Sequence, residues 1–119
     1  VAVGFRPLGA TEWLGYRPAS TAYEVLVEDN PNAEFLIRED AVGGAVAVAS
    51  VGLNAQLVFG TATGNISAAM LDSSTAATTA THQLRIMGLW QAPDNAQGDY
   101  AGWRVRLNMH THAPATAGA

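Results

Sequence analysis

His110 and His112 stand one residue apart, and in an extended segment both imidazoles fall on one face, a spacing that can hold a transition-metal ion. A usable site needs a third ligand, which only His82 or a distant carboxylate could supply. Without it, an outward-facing pair at a strand end is plain surface. A Ser/His/Asp set can also be assembled from Ser73 or Ser74, His82 and one of Asp72, Asp94 or Asp99. Triads are defined by geometry, however, and there is no Gly-x-Ser-x-Gly elbow. Glu28-Asp29 and Glu39-Asp40 lack the spacing of a calcium loop and read as solvated turns. Gly43-Gly44 has neither the lysine nor the helix that a phosphate loop needs, and Asn65-Ile-Ser67 fits a glycosylation acceptor by chance. These residues point to no catalytic group and no cofactor, so the expectation is a protein that is not an enzyme.

Binding chemistry is better represented. Arg85, Arg104 and Arg106 lie in strand-like segments, where a guanidinium can take a carboxylate with two parallel hydrogen bonds. Trp90, Tyr100 and Trp103 are close to them in sequence, and the combination has the composition of an interface hot spot. Ordinary cross-strand ion pairs are the competing reading for each arginine. A second group, Phe5, Arg6, Trp13 and Tyr16, lies in a glycine- and proline-punctuated segment that suits an extended arm. Such an arm can anchor its aromatic rings on another surface or fold back on its own core.

The chain that must position these groups has 119 residues, enough for one modest core. It contains no cysteine, which excludes disulfide staples and thiolate metal sites. Charged residues make up only 13%, all six cations are arginine, and the net charge is −4. Few surface charges suggest a surface covered by other subunits, and an acidic balance argues against nucleic acid as a direct partner. No apolar run approaches the ~20 residues that cross a bilayer, and Val1 to Ala10 has no signal-peptide pattern.

Hydrophobic period supplies the elements. Tyr23–Val27 and Ala33–Arg38 alternate as strands around Glu28-Asp-Asn-Pro-Asn32, which predicts a hairpin. Ala45–Val51 suits a short helical turn ended by Gly52, and Gln56–Phe59 and Ile66–Leu71 suit short strands about a turn at 61–65. Asp72–Thr75 could cap a helical turn, but the β-branched Thr75, Thr78, Thr79 and Thr81 favour an extended connector. Gln83–Trp90 reads as a buried central strand. Trp103–His110 alternates most cleanly, predicting Trp103, Val105, Leu107 and Met109 inward, with Arg104, Arg106, Asn108 and His110 outward. The expected fold is all-β: a jelly-roll-like β-sandwich or small barrel over residues 21–112, an extended N-terminal arm over 1–20 and a flexible tail over 113–119.

Leu71-Asp-Ser-Ser-Thr-Ala-Ala-Thr-Thr-Ala-Thr81, Gln83-Leu-Arg-Ile86 and Pro93-Asp-Asn-Ala-Gln-Gly-Asp-Tyr100 together resemble the C-terminal half of a family of tailed-bacteriophage head proteins. These are small capsid decoration or cement proteins. The resemblance extends to Gly4-Phe-Arg-Pro-Leu-Gly9, to Tyr23–Phe35 and to Val51–Val58. Family members carry a longer segment where this chain has only Ala10 to Ser20. The resemblance implies a structural virion protein, made in the host bacterial cytoplasm. It would sit on the capsid surface, bind the outer face of the major capsid protein as a homodimer or homotrimer, and stabilise the mature head. A tail or head-fibre component is the alternative, and a small metal-dependent enzyme using His110 and His112 a more distant one.

Overall fold

The computed structural model describes every residue of the chain except 62, 65 and 66. Part of the turn at 61–65, the start of the strand at Ile66 and the acceptor at Asn65 therefore lie outside the described residues. The rest is all-β, as expected. Among the described residues eight strands form: β1 (Ala2–Pro7), β2 (Tyr23–Val27), β3 (Glu34–Arg38), β4 (Asn54–Ala55), β5 (Leu57–Phe59), β6 (Ala69–Leu71), β7 (Leu84–Leu89) and β8 (Gly102–Leu107).

Sheet order is β3-β8-β7-β4, with β5-β6 and β1-β2 as separate antiparallel pairs. The first two sheets join. β4 and β5 are one stretch bent at Gln56, and a parallel bridge between Glu39 and Leu71 carries β6 to the end of β3. The antiparallel sheets thus wrap one core, within the expected all-β class of sandwich or small barrel.

The interior explains the strand sequences. Trp103, Val105, Leu84, Ile86, Leu71, Ala55 and Val46 are buried there. Burial of each large aliphatic side chain contributes about 1.5–3 kcal/mol before the entropy of ordering is subtracted. Phe35 and Ile37 line the inner side of β3, and the same period of two places Glu39 inside as well.

Three expectations are corrected. β2 and β3 do not form a hairpin: β2 pairs with β1, Phe5 opposite Val25, and β3 pairs with β8, Phe35 opposite Val105. Local turn chemistry is present, since Glu28 and Asn30 side chains accept from the backbone N–H groups of Asn30 and Asn32. It reverses the chain without choosing the partner strand. Asp72–Thr75 is not extended, for Ser73–Thr75 forms a 3-10 turn capped by Asp72, whose carboxylate accepts from Ser74 N–H at 3.0 Å. The inward series of β8 stops at Leu107. Asn108 and Met109 N–H both point at the Gln83 carbonyl, which turns Asn108 inward and leaves Met109 exposed. The expected short helical turn is present at Val48–Ser50.

The two ends of the chain differ: the N-terminal segment folds on itself and on β2, and the C-terminal tail lies back on the fold. Residues 1–20 include β1, and Phe5 exchanges backbone hydrogen bonds with Leu14 (2.8 and 2.6 Å). The tail expected to be flexible is held by Gly118 N–H to Thr78 O and Ala119 N–H to Gly52 O, both 3.0 Å.

Candidate functional site

The chemistry-bearing residues scatter into structural roles. Ser73 Oγ donates to Asp40 Oδ1 (3.0 Å) and Ser74 Oγ to Asp72 Oδ1 (2.6 Å), so both hydroxyls serve caps. His82 instead turns Nδ1 toward Asn54 O at 3.4 Å. His110 Nδ1 accepts from the backbone of His112 (3.0 Å), which engages one of the nitrogens a metal would use, and His112 Nε2 lies 3.6 Å from Asp29. Among the described residues no three histidines and carboxylates gather as ligands.

Two of the N-terminal candidates, Arg6 and Trp13, meet each other. Arg6 pairs with Glu24 across β1 and β2, and its guanidinium lies 4.7 Å from the Trp13 ring centroid. Phe5 is half-buried against Leu14, and Tyr16 is exposed. Arg85 is an internal clamp. Its Nε donates to buried Asn54 Oδ1 (3.0 Å), and its Nη2 to the carbonyls of Thr116 (3.0 Å) and Ala117 (2.5 Å) in the tail.

What remains on the outer side of the β3-β8-β7 sheet forms one surface. On β3 the residues opposite in phase to Phe35 and Ile37 are Glu34, Leu36 and Arg38. Register sets Leu36 beside Arg104, Arg38 beside Gly102 and Arg106 beside Arg85. Leu36, Trp90 and Tyr100 are 54%, 42% and 58% exposed, and with Arg38, Asn95 and Gly102 they border a depression of about 350 Å³. Gly102 makes its floor: a Cβ there would meet Asn95 Oδ1 and Trp90 Cε3 at 3.4 Å and Leu36 Cδ1 at 3.5 Å.

The surface is built rigidly. Asn95 donates to Trp90 O (2.7 Å) and Gly102 O (3.0 Å) and accepts from Gly102 N–H (2.8 Å), tying the 91–101 loop to the ends of β7 and β8. The Arg38 guanidinium lies 5.6 Å from the Tyr100 centroid, and Arg104 Nη1 reaches Glu34 Oε2 at 3.0 Å. A bulge in β7 between Ile86 and Gly88 brings Gly88 under Arg104, where any side chain would displace the guanidinium.

Of the residues expected at such a surface, Trp90 and Tyr100 border the depression and Arg104 and Arg106 lie along the same outer strands, whereas Trp103 is buried in the core and Arg85 is taken by the tail. Leu36, Arg38, Asn95 and Gly102 were missed. Arg38 and Leu36 could have been found from strand phase alone, because they alternate with Phe35 and Ile37. Asn95 and Gly102 carry no signal apart from the fold.

Beneath this surface lies a buried carboxyl. Glu39 Oε2 accepts from Val46 N–H (2.8 Å) and Trp103 Nε1 (3.1 Å), while Oε1 is buried without a partner. Desolvation raises its pKa above the ordinary carboxylate value, against the lowering effect of the two donors, with Asp99 and Asp40 adding to the rise. Burial also disfavours the charge on Asp40. There the N–H groups of Ser73 and Val42 and the Ser73 hydroxyl prevail and hold the pKa low. No protein-family model, curated protein or solved structure matches this chain.

Proposed function

We propose that this chain is a structural virion protein, a capsid decoration or cement protein that binds the outer face of the major capsid protein shell and stabilises the mature head. The observation that carries the reading is the outer depression, where exposed Leu36, Trp90 and Tyr100 sit among arginines on a hydrogen-bonded frame. Aromatic and arginine anchors on a rigid base are what protein interfaces use, because little freedom is lost when they dock. The resemblance of residues 71–81, 83–86 and 93–100 to phage head proteins supplies the identity of the partner. Low charge and many exposed apolar side chains fit a surface designed to be covered.

Binding at many equivalent positions would multiply a modest affinity across the shell. Heads assembled without this protein should burst or release DNA at lower temperature than complete heads, and adding it back should restore them. Equal thermal stability of the two would reject the reading. Copy number separates the alternative: hundreds per particle fit a cement protein, whereas a dozen or fewer fit a tail or fibre component.

A further inference from the structure

We propose that the outer edge of β2 pairs with the same edge of a second copy of this chain, antiparallel about a two-fold axis at Val25. The two-stranded ribbons of both copies then join as one sheet, in the order β1-β2-β2-β1. The inference goes beyond the capsid reading, which leaves dimer and trimer open.

Hydrogen-bond phase fixes which β2 residues face outward. Phe5 N–H and C=O both go to Leu14, at 2.8 and 2.6 Å, and so point away from β2. Val25, directly opposite Phe5, therefore turns its own N–H and C=O away from β1. Pro7, which has no N–H to give, stands opposite Tyr23, and Val1 exchanges bonds with Glu28 at 2.8 and 3.0 Å. Both contacts put Tyr23 and Val27 in the same phase as Val25. Among the described residues β2 has no neighbouring strand except β1, so these backbone groups are left on an open edge.

The edge is undefended. Exposed strand edges are commonly guarded by lysine, proline, a bulge or a covering segment. β2 reads Tyr-Glu-Val-Leu-Val, and the bulge of this ribbon lies in β1, between Ala2 and Gly4. Val25, Leu26 and Val27 are exposed, and the one charge of β2, Glu24, is tied to Arg6 of its own ribbon. A ribbon of two strands is marginal alone and gains stability from a third.

Self-complementarity identifies the occupant. Turned about Val25, the strand sets Val25 against the second copy's Val25 and Tyr23 against its Val27 on one face, with Glu24 against Leu26 on the other. Every outward-facing residue exchanges both backbone bonds, aromatic meets β-branched, and no like charges stand opposite. An isologous interface requires this kind of match. Phe5, Pro7, Tyr23 and Val25 of both copies extend as one apolar face. Growth stops at two copies, because Leu14 occupies the outer edge of β1 at Phe5.

The test is sedimentation velocity of the purified chain over a wide concentration range, beside V25P, V25K and V25E variants whose folding is verified by circular dichroism. Proline at this position removes a donor that the ribbon does not use and is tolerated on an edge. Wild type should sediment as a dimer in equilibrium with monomer, and V25P should associate at least tenfold more weakly. V25K and V25E should each do the same alone, since like charges then meet at the axis, and an equal mixture of the two should recover the dimer. A damaged fold, or a dimer through another face, would not give that recovery, so the charge pair decides the matter even if V25P fails to fold. A wild type that stays monomeric, that forms a trimer, or whose dimer survives all three substitutions overturns the inference. A monomer that binds capsid shells and loses them in V25P also overturns it, assigning the edge to a shell strand and leaving the capsid reading intact. A dimer that behaves as expected but does not bind shells rejects the capsid reading alone.

Discussion

The indole of Trp103 donates to Glu39 Oε2 at 3.1 Å in the core, where neither side chain has any exposure. The contact joins the inner faces of β3 and β8 and supplies a partner that buried Trp N–H groups ordinarily require. It also takes a carboxyl into an apolar core, so stability and proton binding are coupled at this one bond.

Glu39 sets the first pH dependence. Its folded pKa is raised, so between the ordinary value of 4.5 and the raised one the folded chain holds the proton more tightly than the unfolded chain. Stability from this group is therefore present at acid pH and falls as pH rises through the folded pKa. Glu39→Gln should flatten that fall. Urea titrations at a series of pH values from 4.5 upward would measure it, and an unchanged slope in the variant would count against Glu39 as its source.

Asp40 acts in the opposite direction and in a separate range. Its lowered pKa means that its contribution is present above 3.8 and is lost as pH drops through the folded value. Asp40→Asn should remove part of the acid-induced unfolding below that pH. Melting curves on both sides of pH 3.8 would detect the difference.

Trp103→Phe keeps most of the buried ring but deletes the donor. Leaving Glu39 with a single hydrogen bond should cost about 1–3 kcal/mol, on top of the smaller volume. Glu39→Gln in the Trp103→Phe background should cost less than in wild type, and denaturation of the double-mutant cycle would show it.

Asn54 is the hub of the tail clamp, since its Nδ2 donates to Thr79 O (3.0 Å) and Thr116 O (2.8 Å) while its Oδ1 takes Arg85. Asn54→Ala should destabilise by about 1–3 kcal/mol, because a buried polar network loses its centre. Hydrogen exchange at Gly118 and Ala119 should accelerate more than exchange in β8. Uniform acceleration would show that the tail has no stability of its own.

Gly102→Ala tests the depression separately from the fold. The new methyl has room by ordinary contact distances, so the melting temperature should stay near that of wild type. Shell binding should weaken several-fold because the floor of the hollow is filled. Unchanged binding would place the contact elsewhere.

Strands β3, β7 and β8 were legible because their alternation of apolar and polar residues is strong and matches a buried inner face. Their neighbours were not. The Glu28–Asn32 turn looks like a hairpin whichever strands it joins, and the choice of β1 and β8 as partners depends on residues far away in the chain. Glu39 was misread as a solvated turn acid because Asp40 and Gly43-Gly44 follow it. The phase of Phe35 and Ile37 would have placed it inside. The surface arginines were visible as types, but Arg85 belongs to the tail clamp, a role set by Thr116 and Ala117 carbonyls that no side-chain pattern announces.

Tyr100 shows what its surface demands of the fold. Its backbone φ of 61° is a left-handed conformation that side-chain-bearing residues adopt at a cost of about 1–3 kcal/mol. Glycine at this position would relieve the strain and lose the ring. Selection for thermal robustness alone would drift toward that change, so persistence of a tyrosine here across related sequences would record selection for contact in opposition to stability.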